Sequence, residues 1–262
     1  MKKVIKNILG LFFLSQAIIF ASCEKGEFVS SSEYVIPDAN AIKVKILTVA
    51  PGAPTVNYFI NDEKITGVNN ASGIQFGYGY NGLYPDLGYL VVNKAPSYNL
   101  KVKVAASNET DPNLTLMDES LNLVDGKQYT LFTTKYDATS KKITNYTLLE
   151  DARPTPTPDT SKTFIRFVNL LNNTSGLTLE QVTTEKVLVN NLAYGATSDF
   201  IAIDNPGQAN VYRVINPADG TVVIANTSYT LAKGRSLTVY CYGNLGATGD
   251  YAPKMGWFTS FY

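Results

Sequence analysis

The chain has 262 residues, with 22 basic and 22 acidic side chains, two cysteines and no histidine. Without an imidazole, Ser-His-Asp and Cys-His catalysis and His-ligated zinc are excluded, because the commonest general base and the commonest metal ligand are both missing. The balanced charge has no basic stripe of the kind that tracks nucleic acid. Only 17% of residues are charged, and the 17 tyrosines are accompanied by many Thr, Asn and Val, a composition suited to strands and turns.

The chain begins with Lys2, Lys3 and Lys6, followed by an apolar run from Ile8 to Phe20 broken only by Ser15 and Gln16. At 13 residues, this run falls short of the roughly 20 that a spanning helix needs. Phe20-Ala21-Ser22-Cys23 comes next. The order of basic residues, apolar run and small residues is that of a secretory signal. The small pair before Cys23 resembles a bacterial lipobox. That resemblance implies a signal peptide over 1–22, a lipid on Cys23 and a membrane partner held through it. Each buried acyl methylene contributes roughly 0.8 kcal/mol, so a stable anchor needs more than one chain. Loss of residues 1–22 removes three lysines and no acid from the 22 of each, leaving 240 residues with a net charge of −3. Residues 23–40, with Ser30, Ser31 and Ser32 in a row, read as a lipidated tether.

A first β-sandwich domain is expected over 41–152. Ile42–Leu47 alternates apolar and basic residues, and Val56–Ile60 is closed by Asn61-Asp62-Glu63. Tyr98–Val104 alternates cleanly, with Asn99, Lys101 and Lys103 facing water. Tyr129–Thr134 and Ile143–Leu149 flank a turn at Asp137–Ser140. Pro154, Pro156 and Pro158 then favour an extended spacer and mark a linker over 153–162.

A second domain is expected over 163–262. Strands are predicted at Thr163–Val168, Lys186–Val189, Phe200–Ile203, Val211–Ile215, Thr221–Ala225 and Leu237–Tyr242, with a hairpin turn at Asn216–Gly220. Leu179–Lys186 has room for one helical turn at most. With Cys23 lipidated, Cys241 has no partner for an intrachain disulfide, and its strand-like surroundings place it in a core.

The halves repeat one another. Val44-Lys45-Ile46-Leu47 aligns with Ile165-Arg166-Phe167-Val168, Tyr78-Gly79 with Tyr194-Gly195, and Gly126-Lys127 with Gly234-Arg235. The offset shrinks from 121 to 116 to 108, so the second copy has shorter loops. Ile165–Asn169, Leu192–Gly195 and the Gly-basic-x-x-Thr entries resemble the domain of unknown function 4397. Lipoproteins of the Bacteroidota commonly carry this domain. The resemblance covers most of 41–245 and implies an all-β chain of two tandem immunoglobulin-like β-sandwiches behind a lipoprotein signal. It supplies no catalytic residue.

The candidate binding surface is aromatic. Tyr78, Tyr80 and Tyr84 lie among glycines, and Trp257 and Tyr262 close the chain. Tyrosine offers large contact area at low entropy cost, though such clusters also cover sheets or pack as a last strand. The adjacent acidic pairs, such as Asp62-Glu63 and Asp118-Glu119, would point to opposite strand faces and do not form a glycosidase pair. The resulting expectation is a non-catalytic binding or structural module of the cell envelope, at the outer membrane, without cofactor or metal. The alternative is a carbohydrate-binding or adhesive, fimbria-associated lipoprotein. A glycan or another envelope protein would be the partner, and nucleic acid would not.

Overall fold

The computed structural model describes residues 40–66, 77–108, 110–152, 160–203 and 207–261. Cys23 and the expected signal, residues 153–159 of the expected linker, Tyr262 and the side chain of Phe261 lie outside the described residues.

In the first half, β1 (Ile42–Thr48) runs into β2 (Val56–Ile60). Asn61 and Asp62 take left-handed φ of 50° and 66°, and this tight turn delivers β3 (Glu63–Lys64). β4 (Gly82–Tyr84) and β5 (Leu90–Val92) are short. β6 (Tyr98–Val104) buries every second residue, as its alternation predicts. β7 (Thr115–Leu121), β8 (Gln128–Asp137) and β9 (Lys142–Glu150) complete the half. In the second half come β10 (Thr163–Asn172), β11 (Gly176–Gln181), β12 (Lys186–Ala193), β13 (Ile201–Ile203), β14 (Ala209–Ile215), β15 (Val222–Thr230), β16 (Ser236–Asn244) and β17 (Lys254–Phe261). The predicted turn at Asn216–Gly220 joins β14 to β15, with the Asn216 amide donating to the Thr221 carbonyl at 2.9 Å. No α-helix occurs among the described residues; Val182–Thr184 is a single 3-10 turn. The all-β class is as the sequence predicts.

The strands form four sheets in two matching pairs. One sheet has the order β4-β1-β8-β9, with β5 also on β1, and its counterpart is β13-β10-β16-β17. The other two are β3-β2-β6-β7 and β12-β11-β14-β15. β1 runs parallel to β8 and sets Lys45 opposite Thr130; β10 runs parallel to β16 and sets Arg166 opposite Thr238. The repeat read from short motifs therefore extends to strand order and register.

Each half has its own apolar core. Tyr58, Leu100, Val102, Leu116 and Leu131 are among the residues of the first, and Phe167, Leu179, Tyr212, Val239 and Cys241 among those of the second. A third core lies between the halves, made by Leu47, Val49, Phe132 and Leu149 against Val168, Leu170, Tyr240, Tyr242 and Phe258. Leu47, Val49, Phe132 and Leu149 occupy the same strand positions as Val168, Leu170, Tyr240 and Phe258. The seam thus joins one surface to its own counterpart, as an isologous dimer interface does. The ring of Phe132 lies 6.3 Å from those of both Tyr240 and Phe258. Gly256 makes room for Tyr240, since a Cβ there would fall 2.3 Å from the phenol ring. Because of the seam, β1, β8, β10 and β16 are buried on both faces along most of their length.

A buried ion pair closes one side of the seam. Asp151, just past β9, pairs with the Arg166 Nη2 of β10. Its other oxygen accepts from the Thr130 hydroxyl at 2.6 Å and the Tyr89 hydroxyl at 2.8 Å. Arg166 also donates to Thr238 Oγ1 at 2.8 Å and to the Glu150 carbonyl at 3.2 Å. Burial lowers the guanidinium to about 10, still a cation at neutral pH. Lys45, the positional counterpart of Arg166, is also fully buried. Its Nζ donates to the Pro85 carbonyl at 2.7 Å and lies over the rings of Tyr89 and Phe258. Desolvation lowers it to about 8, against a smaller opposing pull from Asp86.

Three outcomes are expected. First, cleavage at a protease site inserted between Pro154 and Pro158 leaves two fragments that co-elute in native size exclusion and part only on denaturation; fragments that separate in native buffer would contradict a shared core. Second, Asp151→Asn strands a buried guanidinium and lowers stability by about 3–5 kcal/mol in urea unfolding. Third, Lys45 binds a proton more weakly when folded, so its contribution to stability rises as pH climbs from about 8 to the ordinary lysine value. Lys45→Met therefore raises stability by about 1–3 kcal/mol at pH 7 and removes that slope. A variant no more stable than the parent at pH 7 would show that the ring and carbonyl contacts offset the desolvation.

Candidate functional site

The glycine–tyrosine segment wraps one edge of the first half. Tyr78 exchanges backbone hydrogen bonds with Val56, at 2.7 and 3.0 Å, and its ring meets Tyr84 at 5.0 Å with a 53° tilt. Gly82 permits this fold-back, because a Cβ there would lie 2.8 Å from the Gly79 carbonyl and 3.1 Å from Tyr78 Cβ. Tyr80 leaves this pair and enters the seam, 5.6 Å from Tyr242 and edge-on to Tyr251 at 5.2 Å. Its hydroxyl is buried without a hydrogen-bond partner, and burial pushes its pKa up. Tyr89 belongs to the Asp151 network. Of the expected surface tyrosines, Tyr78 and Tyr84 are therefore brought together, and Tyr80 packs against the second half.

β17 divides its aromatic residues between its two faces, as a strand must. Phe258 enters the seam, and Trp257 packs on the core of the second half. The indole is stacked on Tyr229 at 4.6 Å and 4°, and meets Tyr212 at 5.2 Å and 63°. One indole face is thus taken by the chain's own tyrosine. Cys241 is fully buried, and desolvation raises its thiol pKa well above the ordinary value, which leaves it little nucleophilic character.

Among the described residues, two clefts open elsewhere. The first, of about 340 Å³, lies at one end of the first half. Val104 and Leu116 are buried in its floor, and Tyr136 is half-buried in a wall. Asn108, Asp111 and Lys141 supply polar groups. Lys141, on the β8–β9 hairpin, pairs with Asp111 on the β6–β7 loop, and this hydrogen bond raises the lysine pKa. The Asn108 side chain accepts from the Thr110 amide at 2.8 Å and shapes that loop. The second cleft, of about 380 Å³, lies beside the 3-10 turn and is lined by Gln181, Glu185 and Arg213 among others. Gln181 is fully buried there; its amide donates to Asn210 at 2.8 Å, and its Oε1 has no partner.

The sequence signal for the first cleft was the polar turn Asn108–Asn113. That signal is weak, because β7, which follows, carries Asp118-Glu119-Ser120 and does not alternate. Among the described residues, no group of three or more Asp, Glu or Cys could hold a metal ion, and no helix is long and apolar enough to cross a membrane.

No curated protein matches the chain. A solved structure, the family 26 carbohydrate-binding module CBMbc from Eubacterium rectale Amy13K in complex with maltoheptaose, is similar at 15% identity. The likeness covers 82% of this chain and 96% of that one with a TM-score of 0.26, too low to support a shared fold or ligand. The pattern that defines the domain of unknown function DUF4397 matches residues 42–180, from the start of β1 to within β11. No catalytic family is indicated. With more than half of its length matched, including strands on both sides of the seam, the chain belongs to the DUF4397 family.

Proposed function

We propose that the chain is a non-catalytic module of the cell envelope, held to the outer membrane by lipid on Cys23, that works as a binding or structural element. The observation that carries this reading is the seam. An apolar core and a fully partnered Arg166–Asp151 pair join the halves, so that a load or ligand taken at one end is held against the other without a hinge. The order of basic residues, apolar run, small pair and Cys23 supports the anchor. Burial of the Cys241 thiol and the lack of any imidazole speak against nucleophilic chemistry.

A second reading, a carbohydrate-binding or adhesive lipoprotein of a fimbria-associated kind, is favoured by one observation. The cleft at Tyr136 joins an aromatic wall to polar groups whose charges cancel.

In cells fed an alkyne-tagged fatty acid, the parent chain is expected to take the label and fractionate with membranes, and Cys23→Ser to lose both properties. Retention of label by the serine variant would remove the anchor from the reading. A glycan array probed with the whole chain separates the structural reading from the carbohydrate-binding one.

A further inference from the structure

We propose that the cleft formed by the β1–β2 loop, the β6–β7 loop and the β8–β9 hairpin is a binding site for one neutral sugar ring; this rests on reading the chain as a binding module. The repeat supplies the first argument. The β6–β7 connection has ten residues, 105–114, where its counterpart 216–221 has six. The wall that carries Asn108 and Asp111 is built where the first copy is longer, and loops carried on a rigid scaffold are where ligand contacts concentrate.

The backbone supplies the second argument. Among the described residues other than glycine, asparagine and aspartate, only Lys141 and Glu185 adopt left-handed φ, and both line clefts. The Lys141 position, φ 52°, closes a tight hairpin where glycine would sit without strain. A lysine there places its ammonium across the cleft on Asp111. Residues held in this region cluster at active sites and ligand clamps.

The chemistry of the lining selects the ligand. At about 340 Å³ the cleft is near the small end of ligand pockets, roughly 300–1,000 Å³, and suits a single ring. The Asp111 and Lys141 charges cancel, so neither an anion nor a cation is favoured over a neutral molecule. Tyr136 and Leu114 offer apolar surface for the C–H face of a pyranose. Asp111 keeps free lone pairs and Lys141 free N–H groups beyond their mutual bond, and Asn108 can both donate and accept, as vicinal hydroxyls require.

The test is saturation-transfer NMR on the whole chain with the methyl glycosides of glucose, galactose, mannose and N-acetylglucosamine, each at millimolar concentration. At least one is expected to receive transfer from the parent protein. Lys141→Gly and Asp111→Asn are each expected to bind it about tenfold more weakly, the loss of one charge-assisted hydrogen bond. Lys141→Gly should melt no lower than the parent, which separates lost binding from lost fold, and Asp111→Asn provides a second readout. Glu185→Gly relieves the same kind of strain at the other cleft and should bind as the parent does. Transfer to none of the four glycosides, or equal binding by both cleft variants, overturns the proposal. Acyl labelling of Cys23 is read separately, so a failed cleft and a failed anchor cannot be mistaken for each other.

Discussion

A guanidinium taken out of water governs much of how this chain is arranged. Desolvating Arg166 costs several kcal/mol, and the cost is offset only if every donor finds a partner. Those partners come from both halves: Asp151 and the Glu150 carbonyl from one, Thr238 from the other. The arginine fork is planar and directional, so the contacts fix an angle as well as a distance. The apolar seam alone could slide, since Leu, Val and Phe accept many registers. The ion pair selects one, and Thr130 and Tyr89 on the remaining carboxylate oxygen hold the acid in place.

Strands exposed on one face were legible in the sequence, and strands buried on both were only half legible. β6 alternates to its ends, and the Asn216–Gly220 turn is built of residues that demand that geometry. β10 reads Phe-Ile-Arg-Phe-Val-Asn-Leu-Leu, a nearly continuous apolar run. Such a run means burial on both faces, but the sequence does not say what covers the second face. Ile42–Leu47 alternates apolar and basic residues, but the pattern does not show that Lys45 is fully buried with its ammonium over Tyr89 and Phe258. β4 and β5 are three residues each, too short for any period to show; the one helical turn that Leu179–Lys186 has room for is the 3-10 turn at Val182–Thr184, directly after β11.

The candidate site follows the same division. Tyrosines draw attention in a sequence because they bind well, and here most of them cover sheets or fill the seam. Tyr80, Tyr240 and Tyr242 pack across the halves, with Asn81 accepting from the Tyr240 hydroxyl at 3.0 Å. The cleft residues Asn108, Asp111 and Lys141 are ordinary turn residues in sequence. Their relation exists only once the β6–β7 loop and the β8–β9 hairpin are brought to one end of a sandwich.

The repeat also explains an asymmetry within the seam. Lys45 and Arg166 occupy the same position on β1 and β10, each opposite a threonine of the parallel neighbour. Only Arg166 pairs directly with a carboxylate; Lys45 feels the weaker pull of Asp86. Asp151 is held beside β8 by its amide, which donates to the Gln128 carbonyl at 2.7 Å. In the second half the residue paired with Ser236, the counterpart of Gln128, is Phe261, which carries no acid. One acid thus serves a seam with two basic positions. The cation able to bind it through a rigid fork is the arginine; the lysine, a compact point charge on a flexible stem, makes do with a carbonyl and two rings. That division accounts for a lysine held near 8 although it shares Tyr89 with the Arg166–Asp151 salt bridge.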